Sequence, residues 1–272
     1  MPEVLSFDEF KSVKTADGAM SFHMCNGITG QTIDIIEGRR LDNLIKYFHY
    51  YDYNARSHVK FVIIDMYSPY ISLIKNMFPN ANIIIDKFHL TQLISRSLNK
   101  TRIMVMKKYK QHNRKFKRYW KLILKSREDL DISKWKKYTC FKNLMTYADI
   151  IDFLINLDSE FKETYWIYQD LLYALKKNDY DLLKKTLYKS NNISSYMKTS
   201  IKTLKEFLPY IKNTFNNNYH NGYIEGNNNF IKVIKRIAFG FRSFKRFKTR
   251  IMICKGLIKI KKNSQCINAL TI

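Results

Sequence analysis

Two hydrophobic rhythms run along this chain. In the first hundred residues, short apolar runs are separated by segments whose apolar positions recur every three to four residues. VLSFDEF (4–10), AMSFHMCN (19–26) and QTIDIIE (31–37) read as strands, and Gly27 and Gly30 of the intervening GITG mark a turn. Leu41, Leu44, Ile45 and Phe48 fall at helical spacing. VKFVIID (59–65) and ANIIID (81–86) are nearly unbroken β-branched runs, as in strands buried on both faces. Ser68-Pro69 opens a helix, with serine suited to the N-cap and proline to the first turn, and Pro79 closes it. KFHLTQLISRSL follows the last strand as another helix. The predicted order is β-β-β-α-β-α-β-α, which describes a mixed sheet with helices on its faces.

From about 100 to 215 the rhythm changes. Glycine is absent, and helix-period stretches follow one another, among them RYWKLILK, FKNLMTYADIIDFLINLDSEFKETYWIYQDLLYALK and MKTSIKTLKEFLPYIKNTF. This region reads as an all-helical insertion. After it, Asn221-Gly222 signals a turn. Glu225 then opens a helix whose apolar stripe is Phe230, Ile231, Ile234 and Ile237. The expected organisation is therefore a core split between 1–99 and 216–255, an insertion at 100–215, and a basic tail at 256–272.

Charge sharpens this picture. Lys and Arg number 48 against 23 Asp and Glu, a formal net charge of +25 over 272 residues. Part of the excess follows from a chain rich in Lys, Ile, Asn and Tyr, as AT-rich coding DNA produces. The rest points to a polyanionic partner, with nucleic acid favoured over a membrane surface. Between Lys100 and Lys142 sixteen basic residues stand against Glu128, Asp129 and Asp131, and no acidic residue follows Glu225. Cys25, Cys140, Cys254 and Cys266 are scattered, without the close pairing of a zinc site. They suit a reduced, cytoplasmic protein. The start shows no secretory signal, and no apolar run is long enough to span a membrane.

Three acids stand out by position: Asp8 in the first strand, Asp65 ending the fourth, and Glu225 opening the late helix. In a ribonuclease-H-like sheet the first and fourth strands are neighbours and a late helix crosses their ends. That fold would gather the three carboxylates. Phosphodiester cleavage and strand transfer are in-line displacements that a pair of divalent ions about 3.5–4 Å apart can assist. Mg²⁺ takes hard oxygen ligands and keeps several waters, so a few carboxylates suffice. The alternative for each acid is a helix cap or a loop charge.

Four stretches carry a resemblance: PEVLSFDEFKSVK around Asp8, VKFVIIDMYSPY around Asp65, FPNANIIIDKFHL around Asp86 and His89, and NGYIEGNNNFIKVIKRIAFGFRSF around Glu225. Together they resemble the catalytic part of DDE-type insertion-sequence transposases of the ISL-three family, over nearly the whole chain. The resemblance implies a ribonuclease-H-like domain with a helical insertion before the glutamate. It also implies Asp8, Asp65 and Glu225 as catalytic acids holding Mg²⁺ or Mn²⁺, and DNA as substrate, handled by a homo-oligomer. The family's N-terminal zinc-binding segment and helix-turn-helix are not in this sequence, so the chain reads as a truncated copy or one piece of a split gene. Tyr223 stands where the family often has proline. Two rival readings are a nuclease or resolvase on the same fold and a catalytically silent DNA-binding remnant.

Neighbouring residues fill in the expected surface. Asn228, Asn229, Lys232 and Arg236 lie at three- and four-residue steps from Glu225 and are expected to share its face. With Arg242, Lys245 and Arg246 they are expected to hold DNA phosphates, while Phe241, Phe244 and Phe247 fit a core. Glu9 should turn to the face opposite Asp8. Asp17, Asp34 and Asp42 read as turn or cap residues, and Trp120, Trp135 and Trp166 most simply as core. Asp86 and His89 stand open between a role near the site and a helix cap beside a packed histidine.

Overall fold

A computed structural model of the chain describes residues 1–189 and 192–258. The expected tail from 259 onward, with Cys266, lies outside the described residues. Two compact units emerge: residues 1–84 together with the chain from Tyr219 onward, and Ile85–Asn218.

The first unit is built on strands β1 (Val4–Lys11), β2 (Met20–Asn26) and β3 (Thr32–Ile36), followed by helices α1 (Leu41–His49) and α2 (Tyr53–Ser57), strand β4 (Phe61–Ile64), helix α3 (Ser68–Met77) and strand β5 (Asn82–Ile85). The five strands form one mixed sheet in the order β3-β2-β1-β4-β5. β1 pairs antiparallel with β2 and parallel with β4, placing Asp8 opposite His23 and Ser6 opposite Ile63. After the second unit, α12 (Gly222–Ile237) and α13 (Phe244–Cys254) return to this sheet. A five-stranded mixed sheet flanked by helices is compatible with the expected ribonuclease-H-like class.

Strand alternation divides the core. One face of β1 carries Phe7, whose ring meets Phe22, Phe48 and Phe78 at centroid distances of 5.0–6.0 Å. Such contacts add to the burial of apolar area, which is the main stabilising term. The opposite face carries Phe10, which packs with Ile35, Ile231, Ile234, Phe244, Phe247 and Ile251. Helices α12 and α13 thus cover that face with their apolar sides. Phe241 packs partly against the same cluster, so the three phenylalanines belong to the core as expected. The stripe on α12 is narrower than the spacing suggested. Ile224, Ile231 and Ile234 are buried, while Phe230 and Ile237 face solvent.

The second unit contains α4 (Lys87–Lys108), α5 (Asn113–Arg118), α6 (Trp120–Ile123), α7 (Tyr147–Ile155), α8 (Ser159–Lys177), α9 (Tyr180–Leu187), α10 (Ser195–Glu206) and α11 (Leu208–Asn216). It is not all-helical: β6 (Lys136–Lys137) and β7 (Leu144–Met145) form a short antiparallel hairpin between α6 and α7. Two-residue strands are too short to leave a period in the sequence. The three tryptophans are not core either. Trp120, Trp135 and Trp166 are all exposed, Trp135 by 61%. The interior is filled instead by residues such as Leu98, Phe116, Phe161 and Tyr165. The Trp166 ring lies 5.0 Å from the Arg127 guanidinium, a contact that suits a half-wet aromatic.

Helix starts follow local chemistry. Thr146 and Asp149 form a capping box on α7, and Asp158, Asp179, Ser194 and Ser243 cap α8, α9, α10 and α13 through their side chains. At α3 the cap position is Tyr67, with Ser68 the first helical residue and Pro69 in the first turn. Asp34 is neither turn nor cap. It sits in β3, where it accepts from the Tyr47 hydroxyl at 2.9 Å and meets Lys248 at 2.5 Å.

Candidate active site

The middle of β1 sets the site. Alternation turns Glu9 to the α1–α3 side, where it pairs with Arg39 and accepts from the Tyr70 hydroxyl at 3.3 Å. Asp8 therefore points to the other side, under α12. Its Oδ1 accepts from the Glu9 N–H at 2.7 Å, and its Oδ2 accepts from Asn228 Nδ2 at 2.7 Å. Asp8 is half-buried.

Asp65 immediately follows β4. Parallel pairing matches Val4, Leu5 and Ser6 with Phe61, Val62 and Ile63. The pairing ends there, two residues short of Asp8 on β1 and of Asp65 after β4. Val4 and Ile63 pack in one cluster with Ile84, so the even positions of β1 and the odd positions of β4 share a face. Asp65 is two residues after Ile63, just past the end of β4. Glu225 is in the first turn of α12, half-buried, three residues before Asn228.

Helix α12 is anchored from both sides. Asn228 Oδ1 meets His23 Nδ1 at 2.8 Å, and His23 Nε2 meets Thr32 Oγ1 at 3.1 Å. His23 is fully buried, and its pKa falls to about 4: burial is the main cause, the Asn228 hydrogen bond opposes it, and the Lys255 charge adds to it. Asn227 Nδ2 donates to the Gly30 carbonyl at 2.7 Å, and its Oδ1 takes the Lys255 ammonium. Lys235 donates to the Lys11 and Ser12 carbonyls. Burial holds both lysines below the ordinary lysine pKa.

Tyr223, in the place where proline was the family expectation, stacks on His220 and packs directly over Gly30. Gly30 has φ +73°, and a Cβ there would meet the Tyr223 Cβ, Cγ and Cδ1 at 3.0 Å. The left-handed φ favours glycine, and the close approach of Tyr223 adds to that preference.

The three sequence-predicted acids thus belong to one unit, Asp8 within β1, Asp65 directly after β4 and Glu225 in the first turn of α12. They do not form a closed ligand set. Among the described residues, no group of three or more His, Cys, Asp or Glu side chains is placed to hold a metal ion. The donor chemistry of Asp8 and Asp65 still fits Mg²⁺, which binds through one or two carboxylates and completes its shell with water and phosphate oxygens.

The expected phosphate-holding residues divide. Asn229, Lys232, Arg236, Arg242, Lys245 and Arg246 are all exposed. Lys245, Arg246 and Arg250 line a shallow cavity of about 520 Å³ along α13. Asn228 does not join them: it is buried and bonded inward to Asp8 and His23. Sequence reasoning missed His23 altogether. The available signal was a histidine between Phe22 and Met24, on a strand whose neighbours are all buried. In the other unit, Asp86 takes the N-cap position of α4 without bonding the first-turn amides, and its Oδ2 meets His89 Nδ1 at 3.1 Å.

No helix among the described residues is long and apolar enough to cross a membrane. The family model for DDE transposases of the ISL3 type, described as "Transposase", matches residues 5–251. A protein of Lactococcus lactis subsp. lactis named "ATP-dependent protease" is 43% identical over 112 residues, 41% of this chain. The matched part is 36% of that relative's length. No solved structure matches.

Proposed function

The chain belongs to the ISL3-type DDE transposase family, and from that premise we propose that it cleaves and joins DNA strands at the ends of an insertion sequence, using Mg²⁺ or Mn²⁺. The reading takes the mixed sheet as a ribonuclease-H-like catalytic core. The supporting observation is the family match over residues 5–251, combined with the parallel pairing of β1, which carries Asp8, with β4, which Asp65 follows directly.

In this reading Asp8, Asp65 and Glu225 hold the divalent ions. When bound, a pair of such ions activates the attacking oxygen and stabilises the leaving one. The chain's own contribution is position and charge. Asp8 is fixed by two hydrogen bonds on a central strand. Asn229, Lys232, Arg236, Arg242, Lys245 and Arg246 bind the phosphate backbone of a strand laid along α12 and α13. DNA phosphates complete a ligand set that the protein leaves open. Both element end and target are DNA in the bacterial cytoplasm, and paired ends call for a homo-oligomer.

The test is Mg²⁺- or Mn²⁺-dependent cleavage of supercoiled plasmid by purified protein, beside Asp65→Ala and Glu225→Ala. Cleavage by wild type alone supports the reading, and an assay for joined products then separates a transposase from a nuclease or resolvase. Absence of cleavage, with equal salt-sensitive DNA binding in all three proteins, supports a catalytically silent DNA-binding remnant. The open ligand set is the observation that keeps this second reading in view.

A further inference from the structure

A chain of hydrogen bonds runs from β3 through β2 and α12 to the carboxylate of Asp8. Thr32 Oγ1 meets His23 Nε2 at 3.1 Å, His23 Nδ1 meets Asn228 Oδ1 at 2.8 Å, and Asn228 Nδ2 meets Asp8 Oδ2 at 2.7 Å. Thr32, His23 and Asn228 are 2%, 0% and 4% exposed. We propose that Asn228, backed by His23 and Thr32, is a positioning residue that orients the Asp8 carboxylate for a divalent cation and fixes α12, with Glu225, in register with β1. The proposal rests on the reading of Asp8 as a metal-binding acid.

The polarity of the chain is determined. An ionised carboxylate only accepts, so the nitrogen of the Asn228 amide must face Asp8 and its oxygen must face His23. His23 Nδ1 must then carry the proton, and Nε2 accepts from the Thr32 hydroxyl. Every contact in the chain is satisfied in one direction, and the opposite direction would set two acceptors against each other at Asp8. A buried amide that lost its partners would be destabilising, so the network resists any change in the rotation of α12.

That rotation decides where Glu225 goes. Glu225 and Asn228 are three residues apart on the same helix, so their side chains neighbour each other along it. A slip of one residue turns the helix by about 100°. It would pull the Asn228 amide off Asp8 and swing Glu225 round the helix axis with it. One buried asparagine therefore couples two acids that are more than two hundred residues apart. Ile224 and Ile231 flank it on the buried side, where an apolar side chain would pack as well. What the asparagine adds is orientation.

The experiment measures Mn²⁺ binding to the full chain by electron paramagnetic resonance of free Mn²⁺, with no DNA and no turnover. The proteins are wild type, Asp8→Ala, Asn228→Leu, His23→Leu and His23→Asn. Far-UV circular dichroism and protease resistance monitor folding. Partners behind metal ligands commonly affect affinity by about 10–100-fold. The expected result is Mn²⁺ binding weakened at least about tenfold in Asn228→Leu and His23→Leu with folding intact. His23→Asn, whose amide can donate where Nδ1 does, should recover most of the affinity. Mn²⁺ affinity unchanged in Asn228→Leu, or equally weak in both His23 variants, overturns the positioning role. If Asn228→Leu does not fold, the His23 pair decides alone. Equal binding by wild type and Asp8→Ala would instead overturn the metal-site reading itself, and the proposal with it.

Discussion

Acid should loosen the first unit through a single imidazole. His23 is fully buried, and its pKa lies at about 4 against an ordinary 6.5. The unfolded chain therefore takes up a proton between these values while the folded chain does not. Stability rises with pH wherever the unfolded state binds more protons, so this contribution is complete above about pH 6.5 and is lost as the pH falls towards 4. Each pKa unit is worth about 1.4 kcal/mol, so the full loss is about 3 kcal/mol, of which about 2 kcal/mol is gone by pH 5. Against a typical domain stability of about 5–15 kcal/mol, a shift of that size is easily measured. The assay is urea unfolding at pH 7, 6 and 5 for wild type and His23→Asn. All three tryptophans lie in the unit spanning Ile85–Asn218, so their fluorescence would report on that unit. Far-UV circular dichroism, with hydrogen exchange of β2 peptides, reads the sheet instead. His23→Asn should flatten the pH dependence between 7 and 5, because the carboxylates are common to both proteins and cancel. Parallel slopes in the two proteins would refute the assignment to His23.

Other substitutions test the anchoring of α12 and the charge it presents. Ile231→Ala removes a fully buried side chain from the face between α12 and the sheet and should lower stability by about 2–5 kcal/mol, read from the urea midpoint. Gly30→Ala should destabilise by more than about 1 kcal/mol, since it adds both a left-handed strain and a clash with Tyr223. Tyr223→Ala in that background should recover only the part of the clash due to the ring, since the Cβ contact and the left-handed strain both remain. For DNA binding, Lys232→Ala and Arg236→Ala should each reduce the slope of log K against log salt by about 0.9, measured by fluorescence anisotropy across a salt series. Unchanged slopes would place both residues away from the phosphates.

The strands were legible to within one or two residues. VKFVIID and ANIIID are apolar without alternation because β4 and β5 are covered on both sides, and no helix-length run competes with them. The opposite orientations of Asp8 and Glu9 followed from alternation alone. Helix α2 was not legible: its five residues, Tyr53–Ser57, bury no side chain, so no apolar stripe marks them. The tryptophans were misread for a related reason. Size suggests burial, but an amphipathic ring is equally stable half-wet beside a cation, and composition cannot choose between the two.

Candidate site residues can be named from the sequence where a carboxylate interrupts or closes an apolar run, and not where their placement depends on pairing. Asp65 could be singled out because a carboxylate at the end of an apolar run needs a partner, and Asp8 because it stands within a strand of largely apolar residues. Asn228 could not be assigned from the helix period. At about 100° per residue it lies about 60° from Glu225, on the side towards Ile224 and Ile231, where a residue can turn outward to phosphate or inward to the sheet. The energetics decide, and they depend on β2. An amide buried without partners would cost about 1–3 kcal/mol, so Asn228 turns inward only because His23 and Asp8 stand opposite each other across the β1–β2 ladder and receive its two ends. That pairing is set by a register between residues 8 and 23, which helix spacing near residue 228 does not encode. The same hydrogen bonds join β3, β2, α12 and β1. On the proposed positioning role, a change at His23 is expected to reach Glu225 through the rotation of α12.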